Sequence, residues 1–226
     1  MNLSPIEYLC LSHVIKRGTG RILEEDNNAC LLCDTVSGVL FLACEDKEKG
    51  IAMLDRHANE LGVLMVSNPE IGKVAFSRYG FVNQMECYQV AYYGQKPPLD
   101  ERLTLRVATL DDFPIIAEHY HMTSKQKLRE IIGRGLILLG YHEGQLVGFI
   151  GEHLEGSMGL LHVFPEYRRM GFGFSLEKAK IADVMQKGFI PFAQIEKSNL
   201  PSLRLQEKLG MTRSDRTIMW LWNVQE

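Results

Sequence analysis

The residues of this sequence best suited to hold a ligand are Arg168-Arg169-Met170-Gly171-Phe172-Gly173, and the ligand they suit is a diphosphate. The stretch follows the apolar run Leu161-His162-Val163-Phe164, which ends at Pro165, and a helical period takes over from Gly171. The first N–H groups of a helix have no acceptor within it, and the helix dipole adds partial positive charge there. Glycine lets phosphate oxygens approach the backbone closely. Arginine adds charge-assisted hydrogen bonds. A bare RxxGxG arises often by chance; its place between an apolar strand and an amphipathic helix is what makes it selective. The competing reading is a solvated basic turn whose glycines merely ease the corner.

The elements around that loop must position it. Leu103 to Val107 reads as a strand, and Thr109 or Asp111 can cap a helix to about Tyr120. Thr123 or Ser124 can cap another to about Arg134. Leu136–Tyr141 and Leu146–His153 form a hairpin about His142-Glu143-Gly144-Gln145, and Met158 to Phe164 is the next strand. Phe174, Leu176, Ala179, Ile181, Ala182 and Met185 fall largely on one face of a helix that should stop at Gly188. A strand over Phe189–Ile195, a helix over Ser202–Leu209 and a strand over Thr217–Trp222 complete the order β-α-α-β-β-β-α-β-α-β. This is an α/β chain with a mixed sheet.

The first half predicts a helix near Pro5–Lys16, then strands near Arg21–Glu24, Ala29–Asp34 and Val39–Ala43. A helix over Lys47–Leu61, a strand over Val63–Ser67, a helix over Pro69–Tyr79 and a strand over Met85–Tyr92 follow. The two halves rhyme at their ends, Asn68-Pro69 to Tyr79-Gly80-Phe81 against Asn199 to Leu209-Gly210-Met211. Pro97-Pro98 within a polar stretch marks a linker. The expected division is a front domain over 1–96, a linker over 97–102 and a catalytic domain over 103–226.

Composition narrows the class. The chain has 226 residues, 46% of them hydrophobic, and a net charge of -3, which argues against a broadly nucleic-acid-binding surface. No window approaches the roughly 18 apolar residues of a membrane span, and Met1 to Leu11 does not read as a signal peptide. Five cysteines, all in the first 90 residues, then suit a reducing cytoplasm. Cys30-Leu31-Leu32-Cys33 has the spacing of half a zinc or redox site. No second pair completes it, and the apolar run reads as a buried strand. No metal site is expected. Trp220 and Trp222 suit a core position better than a dimer surface, and a monomer or homodimer fits equally.

Val163-x-Pro165-x-x-Arg168-Arg169-x-Gly171-x-Gly173 resembles the acyl-CoA signature of the GCN5-related N-acetyltransferase superfamily. Asn199-x-x-Ser202-x-x-Leu205 and Lys208-Leu209-Gly210-Met211 resemble that family's late element, so the likeness spans about residues 103 to 222. Pro165-Glu166-Tyr167-Arg168-Arg169 and the weakly repeated front half look like the glycine N-acyltransferase-like, or FR47-like, branch. The resemblance implies that fold, with a degenerate front copy of it, and acetyl-CoA or another acyl-CoA as co-substrate. It also implies that the Met158–Phe164 strand splays from the Phe189–Ile195 strand, with the pantetheine arm beside Val163 and Phe164. The amides of Arg169, Met170, Gly171, Phe172, Gly173 and Phe174, with Arg168, would hold the pyrophosphate, and Asn199 and Ser202 would contact the cofactor from the later helix.

The implied reaction is direct attack of a neutral amine on the thioester, which needs a base and an oxyanion donor. Val163 and Phe164 amides are the candidate donors. Glu152 and His162 are the candidate bases, with His153 and Glu155 nearby; strand alternation lets at most one of Glu152 and His153 face a cleft. Relatives place a tyrosine where this chain has Gln206, which cannot act as an acid, and a glutamate where it has Ser157. The expected acceptor is an amine of a small molecule or amino acid. A protein or peptide amine, or a non-catalytic acyl-CoA-binding module, is the alternative. The front half lacks a phosphate loop: Cys44-Glu45-Asp46 stands in its place, and acidic groups there would repel a diphosphate. A dinucleotide-binding dehydrogenase fits poorly, because its glycine loop belongs in a parallel βαβ unit.

Overall fold

The computed structural model describes residues 6–223. A 3-10 turn, Ile6–Tyr8, leads into α1 (Leu9–Lys16), and β1 (Gly20–Glu25), β2 (Ala29–Asp34) and β3 (Val39–Cys44) follow. Next come α2 (Lys47–Arg56), β4 (Val63–Val66), α3 (Pro69–Arg78) and β5 (Asn83–Ala91). The second half runs β6 (Thr104–Val107), α4 (Phe113–His119), α5 (Lys125–Gly133), β7 (Ile137–His142), β8 (Gln145–Glu152) and β9 (Met158–Val163). It closes with α6 (Phe172–Gln186), β10 (Phe192–Glu196), α7 (Leu200–Lys208) and β11 (Thr212–Trp222). The element order of the second half is the one read from the sequence, and the front-half order also agrees. Pro5, at the expected start of α1, lies outside the described residues. The helix expected over Lys47–Leu61 breaks after Arg56, where a separate 3-10 turn, Ala58–Glu60, takes over.

Two compact units are present, and they differ from the division expected at the prolines. One contains Met1–Ala91, Gln194–Glu207 and Thr212–Glu226; the other contains Tyr92–Ala193 and Lys208–Met211. The physical reason is β11. It pairs antiparallel with β4 over Met219↔Val66 to Trp222↔Val63 and with β5 over Thr212↔Ala91 to Trp222↔Asn83. Backbone pairing of that length ties β11 to the front unit whatever its place in sequence.

In the front unit, β1, β2 and β3 are antiparallel neighbours, and β3 runs parallel to β4 through four register pairs, Val39↔Val63 to Leu42↔Val66. Leu31, Leu42, Leu54, Leu64, Ile71 and Leu221 form its core, each burying apolar surface worth about 2 kcal/mol. Strand alternation puts Cys30 and Cys33 on opposite faces of β2, so they cannot share a ligand. Burial pushes the Cys30 thiol up to about 11, so it packs as a small hydrophobe. Trp220 is partly buried, edge-on to Phe41 at 6.1 Å, and its Nε1 donates to Gln194 Oε1 at 2.9 Å.

In the second unit, β6, β7, β8 and β9 form an antiparallel run. The β7–β8 hairpin turns at Glu143 (φ 49°) and Gly144 (φ 78°), both left-handed, as a two-residue type I′ turn requires. Leu176 of α6 packs with Leu138 and Ile150 and lies against Gly140, where an added Cβ would stand 2.8 Å from its Cδ2. That close approach fixes α6, and therefore its N-terminus, against the strands. Among the described residues, no helix is long and apolar enough to cross a membrane, and no three or more His, Cys, Asp or Glu side chains are grouped to hold a metal ion.

Candidate active site

The loop after β9 is built to leave backbone N–H groups open. Pro165–Tyr167 makes one 3-10 turn, Arg168 is extended, Arg169 is left-handed at φ 67° and Gly171 is left-handed at φ 88°. A left-handed arginine is strained, and it sits where the chain reverses into α6. The amides of Arg169 to Phe174 donate to no backbone acceptor among the described residues. Side chains cap other helices: Asp46 accepts from Lys49 N in α2, Asn68 from Glu70 N in α3 and Ser124 from Lys127 N in α5. The N-terminus of α6 carries no side-chain cap. Gly173 has room for a side chain, since an added Cβ would meet only Val163 Cγ2, at 3.6 Å. Protein packing therefore does not require glycine there, whereas a phosphate lying on the backbone would.

Two strand features shape the approach to this loop. β9 and β10 are joined in parallel by one register pair, Ala193↔Met158. Along its other edge β9 carries a bulge: Leu160 and Leu161 stand opposite Ile150, and Leu160 has φ 53°.

Residues of the expected linker support the loop, a contribution that sequence reading missed. Arg102 Nη1 donates to Met170 O at 3.3 Å, and its guanidinium lies 5.1 Å from the Phe172 ring centroid. Asp100 accepts from Arg102 Nε at 3.0 Å and Nη2 at 2.6 Å, and its Oδ2 also accepts from Ser175 Oγ of α6 at 2.5 Å. These donors hold the Asp100 carboxyl far below the usual carboxylate range, Arg102 most of all. Arg168 instead folds back, with Nε donating to Val163 O at 3.0 Å.

The acid–base candidates have very different surroundings. Glu152 is buried on β8 and accepts from Lys180 Nζ at 3.2 Å and Lys187 Nζ at 3.0 Å. Asp183 Oδ2 accepts from the same two lysines at 3.0 and 2.9 Å, and Lys180 also donates to Leu136 O at 3.0 Å. Glu152 therefore ties α6 to β8 as part of an ion-pair network. His162, on β9, is packed among Phe149 at 5.4 Å, His119 at 4.8 Å and Phe164 at 5.3 Å. Its Nε2 is buried and has no hydrogen-bond partner among the described residues. Burial, helped by the nearby His119 and Arg168, lowers its pKa below the ordinary histidine value, so the ring is neutral at pH 7. Glu155 is buried and accepts from Ser157 Oγ. His153 N donates to Ser157 O at 2.8 Å, and its ring covers Gly159.

One expectation needs correction. The Phe164 amide donates to Val147 O at 3.0 Å, so it is not free to stabilise an oxyanion. Phe164 is the last residue of the strand read from the sequence, and its N–H is spent on the neighbouring strand β8. Asn199 and Ser202 lie in the front unit, at the entry to α7, where Asn199 Oδ1 accepts from Ser202 N at 3.1 Å. That is a helix-entry bond, the role a residue of this type fills without any ligand. Gln206, in the same helix, is buried.

Comparison with known proteins bears on the fold. Residues 135–221 match the model of the family described as FR47-like protein. No curated protein matches the sequence significantly. In fold, the chain is similar to a Drosophila protein of known structure, with TM-score 0.69 and 16% identity over 98% of this chain and 91% of that one. It is also similar to a GCN5-related N-acetyltransferase-like protein from Streptococcus suis, with TM-score 0.58 and 16% identity over 94% and 93% of the two chains. A GCN5-related N-acetyltransferase from Kribbella flavida gives TM-score 0.58 and 14% identity over 98% and 95%. At such identities the likeness is one of fold. Residues 135–221 are thus an FR47-like segment, carried in a chain with the fold of the GCN5-related N-acetyltransferases.

Proposed function

We propose that this chain is an N-acyltransferase that takes an acyl group from acetyl-CoA or a related acyl-CoA and passes it to a primary amine of a small molecule or amino acid. The observation that carries this reading is the uncapped N-terminus of α6, with the amides of Arg169 to Phe174 unpartnered around a Gly173 that packing does not require. Those amides and the helix dipole suit the diphosphate of coenzyme A. The FR47-like match supports acyl-CoA as the diphosphate's source. A bound thioester would supply an electrophilic carbonyl carbon.

This chain's own residues then have distinct tasks. Gly171 gives the turn its left-handed corner, and Gly173 leaves the backbone bare for phosphate oxygens. β9, joined to β10 at a single register pair, would offer its backbone near Val163 to the pantetheine amides. His162 is the better base of the two expected from the sequence, because it is neutral and its Nε2 is unpaired, whereas Glu152 is held by two lysines. The front unit is no second cofactor site in this reading. Its parallel pair β3–β4 is joined at four positions, and Asp46 plugs the corresponding helix end.

The test is release of free thiol from acetyl-CoA in the presence of a panel of primary amines. Amine-dependent release is expected from the wild type. With His162 as base, kcat/KM should rise with pH through a midpoint below the ordinary histidine value of about 6.5. His162→Gln should lower kcat/KM by about 10²-fold and remove that limb. Retention of the wild-type limb would exclude His162 from the role. Acetyl-CoA binding without thiol release on any amine would instead support the binding-module reading, which the replacement of tyrosine by Gln206 and the engaged Phe164 amide favour.

A further inference from the structure

We infer that Arg102 is a phosphate-binding residue of the α6 cradle, and that Asp100 is the positioning residue that aims it. This rests on the proposed acyl-CoA reading and adds to it a cation that lies outside the recognisable loop motif. Arg102 comes from the stretch that reads as a linker, yet its side chain is pinned from several directions. Asp100 takes Nε and Nη2, the carbonyl of Met170 takes Nη1, and the Phe172 ring faces its guanidinium. The backbone is held as well: Arg102 N donates to Asp100 Oδ1 at 3.1 Å, and Arg102 O lies 3.1 Å from His142 Nδ1.

A guanidinium has five N–H donors in a fixed fork. The contacts above occupy Nε and one hydrogen on each terminal nitrogen, which leaves two. The terminal nitrogens that carry them lie beside the cradle loop, Nη1 at Met170 O and Nη2 at Gly171. Arg102 Nη2 stands 3.7 Å from the point that a Cβ on Gly171 would occupy. The two partners differ in exposure: the Arg102 side chain is 50% exposed and that of Asp100 only 18%. Solvent, or a ligand, therefore meets the cation while the carboxylate faces inward to Ser175. Of the other two arginines, Arg168 turns its Nε back onto Val163 O, and Arg169 is exposed. Arg102 is thus the guanidinium whose direction the fold sets in advance, and preset donors lose less entropy on binding.

The experiment is calorimetric titration of the full chain with coenzyme A at several salt concentrations, for wild type, Arg102→Met, Arg102→Lys and Asp100→Asn. Methionine keeps the packing on Phe172 but loses the charge. Wild type should bind, with affinity falling as salt rises. Arg102→Met should bind about tenfold or more weakly and with a shallower salt dependence, as loss of a charge-assisted contact requires. Arg102→Lys should keep the salt dependence and part of the affinity, and serves if the methionine variant fails to fold. Asp100→Asn should weaken binding less and keep the salt dependence. Wild-type affinity and salt dependence in Arg102→Met would overturn this inference while leaving the acyl-CoA reading intact. Weakened binding with an unchanged salt dependence would reduce Arg102 to a support for Met170, which also overturns it. Absence of binding by the wild type would remove the acyl-CoA reading itself.

Discussion

Gly173→Asp is expected to abolish coenzyme A binding while leaving the free protein as stable as the wild type or slightly more so. Gly173 is the second residue of α6, and its added Cβ would make one ordinary contact, 3.6 Å from Val163 Cγ2. Aspartate is a better helix residue than glycine, and a carboxylate in the first turn interacts favourably with the dipole by about 0.3–1 kcal/mol. The same carboxylate would lie where a diphosphate must sit, and like charges repel. Affinity for coenzyme A should therefore fall by at least about 100-fold with no loss of melting temperature. Gly171 is a poorer test, because its φ of 88° makes any side chain costly by roughly 1–2 kcal/mol before a ligand is considered. Wild-type affinity in Gly173→Asp would mean that α6 does not hold the phosphates.

Lys180→Met should strongly destabilise the second unit. Lys180 is fully buried and donates to Leu136 O, Glu152 and Asp183, so its removal leaves the buried Glu152 and the half-buried Asp183 with Lys187 alone. Breaking one side of such a pair costs about 3–5 kcal/mol. For a chain of this size that is a fall of roughly 6–20 °C in melting temperature. Glu152→Gln should likewise lower stability yet keep kcat per folded molecule, which separates the structural role from the catalytic one expected on sequence grounds. The pH dependence follows from Asp183. Burial alone would raise its pKa, but Lys180 and Lys187 outweigh it and lower it below the ordinary value. Its contribution is therefore present above its unfolded pKa of about 3.9 and fades as pH falls through the lower folded value. Denaturation of wild type and Asp183→Asn should converge in acid and differ at pH 7. A difference that persists unchanged at low pH would contradict the network.

What was legible in the sequence was local. Strand, turn and helix around Arg168–Gly173 announce themselves through apolar runs, glycines and a change of period, and all three stand where the pattern places them. The CxxC reading also rests on a local signal, an apolar run that reads as a buried strand, and β2 stands there. What stayed hidden depends on partners distant in sequence. Glu152 reads as a free carboxylate until Lys180, 28 residues on, folds against it. Asp100 and Arg102 look like polar linker residues, and only the fold brings them to Ser175 and Met170, 75 and 68 residues later. The compact units escape a reading from prolines because β11 pairs with β4 and β5, a ladder that composition cannot reveal. The bulge at Leu160 and the engaged amide of Phe164 are matters of register, to which alternation alone is blind.

The most direct measurement is a titration of the isotopically labelled full chain with acetyl-CoA, following each backbone amide by nuclear magnetic resonance. The cradle predicts saturable shifts largest among the amides of Arg169 to Phe174, absent with ATP or NAD at equal concentration. No shift at millimolar acetyl-CoA, or shifts confined to amides away from this loop, would contradict it.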